Sequence, residues 1–163
     1  MLVAVAAMCA ACAGDDRASD ASSTAPTANA RVVEVVDGDT IVVAIDGREE
    51  SVRLIGIDTP ETKHPRKPIE CYGPEASEFA SVLLQVGTEV LVERDLVGRD
   101  DYGRLLGYVH IPATGVFANR ELVRRGYATP LTIEPNSTYA SEFAADAIAA
   151  ERENLGIWAE CRG

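Results

Sequence analysis

Residues 53–61 read RLIGIDTPE, an apolar strand that runs into a turn forced by the Thr-Pro pair. Three charged residues stand in or beside it: Arg53, Asp58 and Glu61. A cation inside an apolar strand is costly to bury unless it meets an anion. Two interpretations follow. Either Arg53 pairs with Asp58 or Glu61 and closes a loop, or it binds a phosphate while the carboxylates hold a metal ion and a water molecule.

The overall composition limits the class of protein. The chain has 163 residues, of which 47% are hydrophobic and 25% charged, and this is normal for one globular domain. Its formal net charge of -11 argues against a protein that holds nucleic acid by bulk electrostatics, because such domains are usually basic. Phosphate chemistry in this chain would have to rely on local cations and a bound metal.

The first thirty residues divide into two segments. Residues 1–14 are apolar, uncharged and too short to span a bilayer as a helix, which is typical of an export signal. The sequence around Cys12 resembles a bacterial lipoprotein cleavage site with Cys12 as the lipidated residue; cleavage as an ordinary signal is the alternative. Residues 15–30 are polar and predict a disordered tether, followed by a folded domain over 31–163.

The hydrophobic pattern of the domain predicts an α+β fold. Valine-rich segments and tight Asp-Gly turns indicate three consecutive strands, and two further strands follow a helix that begins at Pro74. A short helix capped by Asn119 and a longer helix capped by Asn136 or Ser137 complete the domain. The predicted strands are 31–36, 40–45, 50–57, 89–94 and 104–111. This order predicts a five-stranded OB-type Greek-key β-barrel with three helices.

Acidic residues cluster where strands end. Asp37 and Asp39 follow the first strand, Asp58 and Glu61 follow the third, and Arg104 opens the fifth. If these turns share one end of the barrel, their carboxylates repel one another and favour a bound cation. Every candidate ligand is an oxygen, which suits a hard ion such as Ca²⁺.

Five motifs together carry a family resemblance. The chain is similar to the staphylococcal nuclease (thermonuclease) family from about Val32 to Trp158, and the motifs stand in the family order. They are VDGDT at 36–40, RLIGIDTPETKHP at 53–65, YGPEA at 72–76, DYGR at 101–104 and LGIW at 155–158.

The resemblance implies a role for each matching residue. It makes Asp39, Asp58 and the Thr59 carbonyl the calcium ligands. It makes Glu61 the residue that activates the attacking water, with Arg53 and Arg104 on the reacting phosphate. The remaining positions lie around the ion or the nucleotide: Asp37, Thr40, Lys67 and Tyr102.

The implied activity is that of an exported, calcium-dependent endonuclease. It would hydrolyse DNA and RNA with little sequence preference and leave 3′-phosphates, as a monomer that meets the membrane only through a lipid on Cys12. Residues 129–133 read TPLTI where the family carries nucleotide-contacting tyrosines, so base stacking there should be weaker. The alternative is an inactive OB module that binds oligonucleotides or other anions at the cell envelope.

Two cysteines fall inside the domain. Cys71 stands just before the first helix, where the best-known family member has a lysine, and Cys161 lies just after Trp158. An exported compartment would oxidise them. We therefore expect a disulfide between Cys71 and Cys161, with two independent thiols as the alternative.

Overall fold

The computed structural model of the chain describes residues 26–63 and 68–161. Five strands close a mixed barrel, in which β3 and β6 form the single parallel pair and the other neighbours are antiparallel. These strands are β1 (Ala30–Val35), β2 (Thr40–Ile45), β3 (Arg48–Leu54), β5 (Glu89–Glu93) and β6 (Leu105–Ile111). The predicted five-stranded OB-type barrel is confirmed.

The third predicted strand is interrupted at Ile55, just before Gly56. β3 ends at Leu54, and β4 (Gly56–Asp58) continues in a new direction and pairs with β8 (Thr129–Leu131). Gly56 has a φ of 78°, and a Cβ at this position would lie 2.5 Å from the Phe143 ring. Only glycine combines this backbone conformation with so close an approach. Arg53 is therefore the next-to-last residue of one strand, and Asp58 is the last residue of the next.

The helices and short strands surround the barrel. α1 (Gly73–Leu83) follows β4, and β7 (Val116–Phe117) leads into α2 (Ala118–Arg124). α3 (Ala140–Arg152) and the single turn α4 (Ile157–Glu160) come last. The three predicted helices are present, and the segment around Trp158 adds a short fourth one that the sequence analysis did not assign.

The predicted helix caps are wrong. α2 begins one residue before Asn119, whose buried amide instead accepts a hydrogen bond from Val109 N and donates one to Ile55 O, each at 2.9 Å. Asn136 likewise bridges the backbone N and O of Val97, at 2.8 and 2.9 Å, and α3 starts only at Ala140. Both asparagines satisfy the backbone of neighbouring segments, an interaction that local sequence does not reveal.

The core fills the barrel and the space under α2 and α3. Its largest fully buried side chains include Tyr108, Phe143, Ile41, Leu54 and Leu122. The first strand is held at its start by Ala30, which pairs with Val90 in the sheet, and by Asn29 Nδ2, which donates to Val92 O at 3.0 Å. In the part of the chain that the structure describes, no helix has the length and apolarity needed to cross a bilayer.

Candidate active site

The turn between β1 and β2 presents a buried carboxylate. Asp39 is 7% exposed, and its backbone N donates a hydrogen bond to Asp37 Oδ1 at 3.1 Å. A Cβ on Gly38 would lie 2.7 Å from Thr59 Oγ1, so this turn packs directly against the turn that follows β4. The absence of a side chain at Gly38 thus lets two acidic turns approach each other.

Thr59 joins the two turns through Asp39. Its backbone N and its hydroxyl both donate to Asp39 Oδ2, each at 2.9 Å. Burial raises the pKa of the Asp39 carboxyl to about 6, although Arg53 and the Thr59 hydrogen bonds act in the opposite direction. A buried carboxylate with so high a pKa lacks full charge compensation, and a bound cation would supply it.

Arg53 is held by four protein groups. Nη2 lies 3.1 Å from Asp39 Oδ2 and 2.9 Å from Asp58 Oδ1. Nη1 donates to the carbonyls of Leu54 and Ile57, at 2.6 and 3.1 Å. The pairing with Asp58 was one of the two that the sequence offered. Asp39 is the second anionic partner, which the sequence did not indicate because Asp39 lies in the turn before β2 and Arg53 lies in β3.

Arg104 is oriented by the turn that precedes β6. Asp100 accepts hydrogen bonds from Arg104 Nε at 2.7 Å, from Arg104 N at 2.9 Å and from Tyr102 N at 3.0 Å. Burial tends to raise the pKa of Asp100, but these hydrogen bonds outweigh it and the pKa lies below its usual value. Asp100 thereby fixes the direction of the Arg104 guanidinium. The sequence showed Asp100 only as part of a polar turn.

Glu61 follows β4 at the mouth of the site. Its Oε1 accepts a hydrogen bond from Lys63 N at 2.8 Å, and its own backbone is held by Glu70. Nothing in the sequence pointed to Glu70 except its position next to Cys71.

A cavity of about 220 Å³ brings these groups together. Eight of the predicted site residues line it: Asp37, Asp39, Thr40, Arg53, Asp58, Thr59, Glu61 and Arg104. The two sequence-predicted arginines therefore face the same space as the candidate metal ligands and the candidate base. Of the other predicted site residues, Lys67 and Cys12 lie outside the described residues, and Tyr102 lies in a neighbouring cavity.

The donors in this cavity fit a hard divalent cation. Asp39, Asp58 and Thr59 contribute only oxygens, which Ca²⁺ prefers. Among residues 26–63 and 68–161, no group of three or more His, Cys, Asp or Glu side chains is close enough to hold a metal ion by itself. A bound ion would therefore be held by few protein side chains and would need backbone, water or phosphate oxygens as well.

A larger cavity of about 470 Å³ adjoins the first, and Arg53 and Arg104 line both. Tyr102 is 87% exposed here, and the Arg104 guanidinium lies 5.6 Å from the centre of its ring. Leu131 and Ile133 line the same cavity and are 40% and 68% exposed. The space offers apolar and aromatic contacts directly beside two cations.

A disulfide lies behind the acidic site. The structure joins Cys71 to Cys161, with Cα atoms 5.8 Å apart. A third cavity, of about 310 Å³, is lined by both cysteines together with Asp58 and Thr59. The bridge thus connects the segment that enters α1 to the end of α4, next to residues of the candidate site.

The chain matches one family model and several characterised relatives. Residues 51–160 match the model described as staphylococcal nuclease homologue. The chain is 37% identical to the thermonuclease of Staphylococcus hyicus over 128 residues, which is 78% of this chain and 74% of that protein. It is 39% identical to the thermonuclease of Staphylococcus intermedius over 127 residues, with the same two coverages.

A relative named as an endonuclease shows a similar sequence identity to the chain. The chain is 35% identical over 133 residues to the endonuclease YncB of Bacillus subtilis strain 168. The match covers 81% of this chain and 62% of that protein.

Proposed function

Because the chain belongs to the staphylococcal nuclease family, we propose that it is a calcium-dependent endonuclease that hydrolyses phosphodiester bonds in DNA and RNA and leaves 3′-phosphates. Its relatives carry the names thermonuclease and endonuclease, and these names support a nuclease that acts on nucleic acid. The proposal extends this to the metal, the products and the residues of the site.

One observation carries the proposal: Arg53, Arg104 and Glu61 line the same cavity as the oxygen ligands. A diester in this space would meet two planar guanidinium groups, which match phosphate oxygens better than ammonium groups do. Charge grows on the equatorial oxygens as water attacks phosphorus, and preorganised cations stabilise that charge. A pure binding module does not need a proton-accepting carboxylate in the lining of the same cavity.

Each chain residue then has a defined part in the reaction. Glu61 accepts a proton from a water molecule as the water oxygen bonds to phosphorus. The P–O5′ bond breaks, the 5′-oxygen takes up a proton from solvent water, and the phosphate stays on the 3′-oxygen. Glu61 then returns its proton to solvent. Arg53 and Arg104 hold the equatorial oxygens throughout. Ca²⁺, when bound by Asp39, Asp58 and the Thr59 carbonyl, would neutralise and orient the diester.

The metal requirement is tested by comparing three conditions. We expect hydrolysis of plasmid DNA and of RNA in Ca²⁺, little in EGTA with excess Mg²⁺, and none in EDTA. Ca²⁺ accepts irregular sets of about 6–8 oxygens, whereas Mg²⁺ demands a near-ideal octahedron and releases water reluctantly. Equal rates in Ca²⁺ and Mg²⁺ would contradict calcium dependence, and full activity in EDTA would contradict a metal mechanism.

The catalytic assignment is tested with Glu61→Gln and Arg104→Ala. Each should lower kcat by about 10²–10³-fold, the usual effect of losing one preorganised group at a transition state. Glu78→Gln is the matched control, because Glu78 is exposed on α1 and does not line the cavity. Mass spectrometry of the products should detect 3′-phosphate ends. Normal turnover by Glu61→Gln would remove Glu61 from the mechanism.

One observation favours the alternative of a binding module without activity. The Arg53 guanidinium donates to the carbonyls of Leu54 and Ile57 and to Asp58, and a purely structural arginine would make the same contacts. In that case the protein would bind a short oligonucleotide in Ca²⁺ and leave it intact. Incubation of a labelled oligonucleotide at enzyme excess separates the two functions.

We also propose that the protein is exported and acts as a monomer. The Cys71–Cys161 bridge supports export, since disulfides persist in oxidising compartments. The apolar segment 1–14 and the candidate lipidation site Cys12 remain predictions from the sequence. Membrane fractionation of cells expressing the full chain and its Cys12→Ser variant tests the lipid anchor: only the former should stay with the membrane.

A further inference from the structure

Glu61 and Glu70 are bonded to each other in both directions. Glu70 N donates to Glu61 O at 2.9 Å, and Glu61 N donates to Glu70 Oε2 at 3.0 Å. The backbone of each residue is therefore held by the other. The Glu70 carboxylate fixes the backbone of Glu61, from which the candidate base projects.

Glu70 is in turn connected to the rest of the fold through its neighbour Cys71. The disulfide joins Cys71 to Cys161 across 90 positions of sequence, and Cys161 N donates to Ile157 O in α4. Ile157 N donates to Gly126 O at 2.9 Å, which ties α4 to the end of α2. A continuous set of covalent and hydrogen bonds thus leads from Gly126, through α4 and the disulfide, to Glu61.

The start of α1 also packs closely against the backbone of Glu61. A Cβ on Gly73 would lie 3.1 Å from Glu61 O, so the start of α1 packs against the same peptide group. Gly73 N also donates to Glu70 O at 3.1 Å. The position of Glu61 therefore depends on how the 70–73 segment is seated, and the disulfide joins that segment to α4.

We propose that Glu70 is a positioning residue for Glu61, and that the Cys71–Cys161 disulfide holds Glu70 in the register that this task requires. The inference rests on the proposed nuclease function, in which Glu61 accepts the proton of the attacking water. Proton transfer needs heavy atoms within hydrogen-bond reach, and a displacement of about 1 Å can lower a rate about 10²-fold. The two arginines that would bind the substrate phosphate lie elsewhere in the fold: Arg53 in β3 and Arg104 in the turn before β6. Substrate binding should therefore not depend on Glu70.

The test is the separate effect on kcat and KM. Glu70→Ala should lower kcat about 10- to 100-fold and leave KM within about threefold, because only the position of the base changes. Glu70→Gln retains a side-chain oxygen that accepts from Glu61 N and should restore most of the rate. Glu78→Ala is the matched control and should behave as the wild type. A Glu70→Ala enzyme with wild-type kcat, or a Glu70→Gln enzyme as impaired as the alanine variant, would overturn the proposal.

The disulfide arm checks the same idea without touching Glu70. Cys71→Ser/Cys161→Ser should also lower kcat, when assayed at a temperature where circular dichroism shows the variant fully folded. A bridge with a purely structural role would lower Tm and leave kcat of the folded enzyme unchanged, and this result would overturn the part of the proposal that concerns the disulfide. If Glu70→Ala does not fold, this arm and Glu70→Gln decide.

The wild-type enzyme distinguishes the two levels of failure. If the oxidised wild type does not hydrolyse nucleic acid in Ca²⁺, the proposed nuclease function fails. If the wild type is active and Glu70→Ala is equally active, the nuclease function stands and the positioning role of Glu70 fails.

Discussion

Arg53 Nη2 lies 3.1 Å from Asp39 Oδ2, and only 16% of the arginine side chain and 9% of the aspartate side chain are exposed. The same nitrogen lies 2.9 Å from Asp58 Oδ1, so one cation pairs with two carboxylates. The same two carboxylates are the candidate Ca²⁺ ligands. Arg53 therefore both competes with the metal for its ligands and, in the proposed reaction, binds the phosphate.

This double role leads to a prediction for Arg53→Gln. Turnover should fall about 10²–10³-fold because a preorganised cation is lost from the transition state. Ca²⁺ affinity should rise, on the order of threefold to tenfold, since a like charge next to the ligands has been removed. Calorimetric Ca²⁺ titration and kcat are the two measurements. Arg31→Gln, which removes an exposed arginine paired with Glu89, is the control. Weaker Ca²⁺ binding by Arg53→Gln would contradict the competition.

Asp39 gives a prediction about stability and pH. Burial raises its pKa in the folded protein to about 6, above the usual aspartate value of 3.8, so the folded protein binds the proton more tightly than the unfolded chain does. Stability from this group is therefore full below pH 4 and is lost as pH rises to 6. The loss is on the order of 3 kcal/mol, at about 1.4 kcal/mol per pKa unit. The Asp39→Asn variant should not lose stability in this way, because its residue 39 has no carboxyl group to titrate.

Denaturant unfolding in EDTA measures this effect. At pH 7 the Asp39→Asn variant should be more stable than the wild type, and the difference should shrink towards pH 4. Added Ca²⁺ should stabilise the wild type and not the variant, because the variant has lost a direct ligand. A difference between the two proteins that does not change with pH would refute the assigned cause.

Asp100 should act through Arg104. Asp100→Ala removes the acceptor of Arg104 Nε, so we expect kcat/KM to fall about 10- to 100-fold through misplacement of the guanidinium. Because the pKa of Asp100 lies below its usual value, its contribution to stability is present above pH 4 and is lost as pH falls further. Acid unfolding of Asp100→Asn and of the wild type should therefore converge at low pH. Asp46→Asn, an exposed aspartate in the turn between β2 and β3, is the control.

Local sequence predicted the parts of the fold that local physics determines. Alternating valines and Asp-Gly turns gave the strands, and Pro74 gave the start of α1. Prediction from local sequence failed where a residue distant in sequence determines the local structure. Asn119 appeared to be a helix cap, yet its amide is hydrogen-bonded to the backbone of Val109 in β6 and of Ile55 between β3 and β4. The strand over residues 50–57 appeared continuous, yet Phe143 packs against Gly56 at the bend.

The candidate site shows the same division. The oxygen donors and the arginines were found because residue type and turn position are visible in the sequence. The ion pair between Arg53 and Asp39 was not, since it depends on the pairing of β2 with β3, where Thr40 lies opposite Arg53. Glu70 was missed for a further reason: its contact with Glu61 requires the chain to return after nine positions, and no periodicity signals that return.

The disulfide should contribute strongly to stability. A bridge that closes a loop of 90 residues restricts the unfolded chain, and such a constraint is worth about 3–5 kcal/mol. Cys71→Ser/Cys161→Ser should lower the free energy of unfolding by this amount in guanidinium titrations. Thiol titration of the denatured, unreduced wild type provides the control, and two reactive thiols from these positions would show that the bridge does not form.

The cavity beside Tyr102 should gain affinity from one added aromatic ring. Ile133 is 68% exposed and lines the same cavity as Tyr102, Arg53 and Arg104. Stacking of a base on an aromatic side chain contributes about 1–3 kcal/mol, so Ile133→Tyr should tighten binding of a short single-stranded oligonucleotide about tenfold. The measurement is made in Ca²⁺ in the Glu61→Gln background, where hydrolysis is suppressed. Tyr102→Ala should weaken binding in the same assay. Ile148→Tyr adds the same ring to an exposed position of α3 that does not line the cavity, and affinity equal to that of Ile133→Tyr would mean that nucleobases do not enter this space.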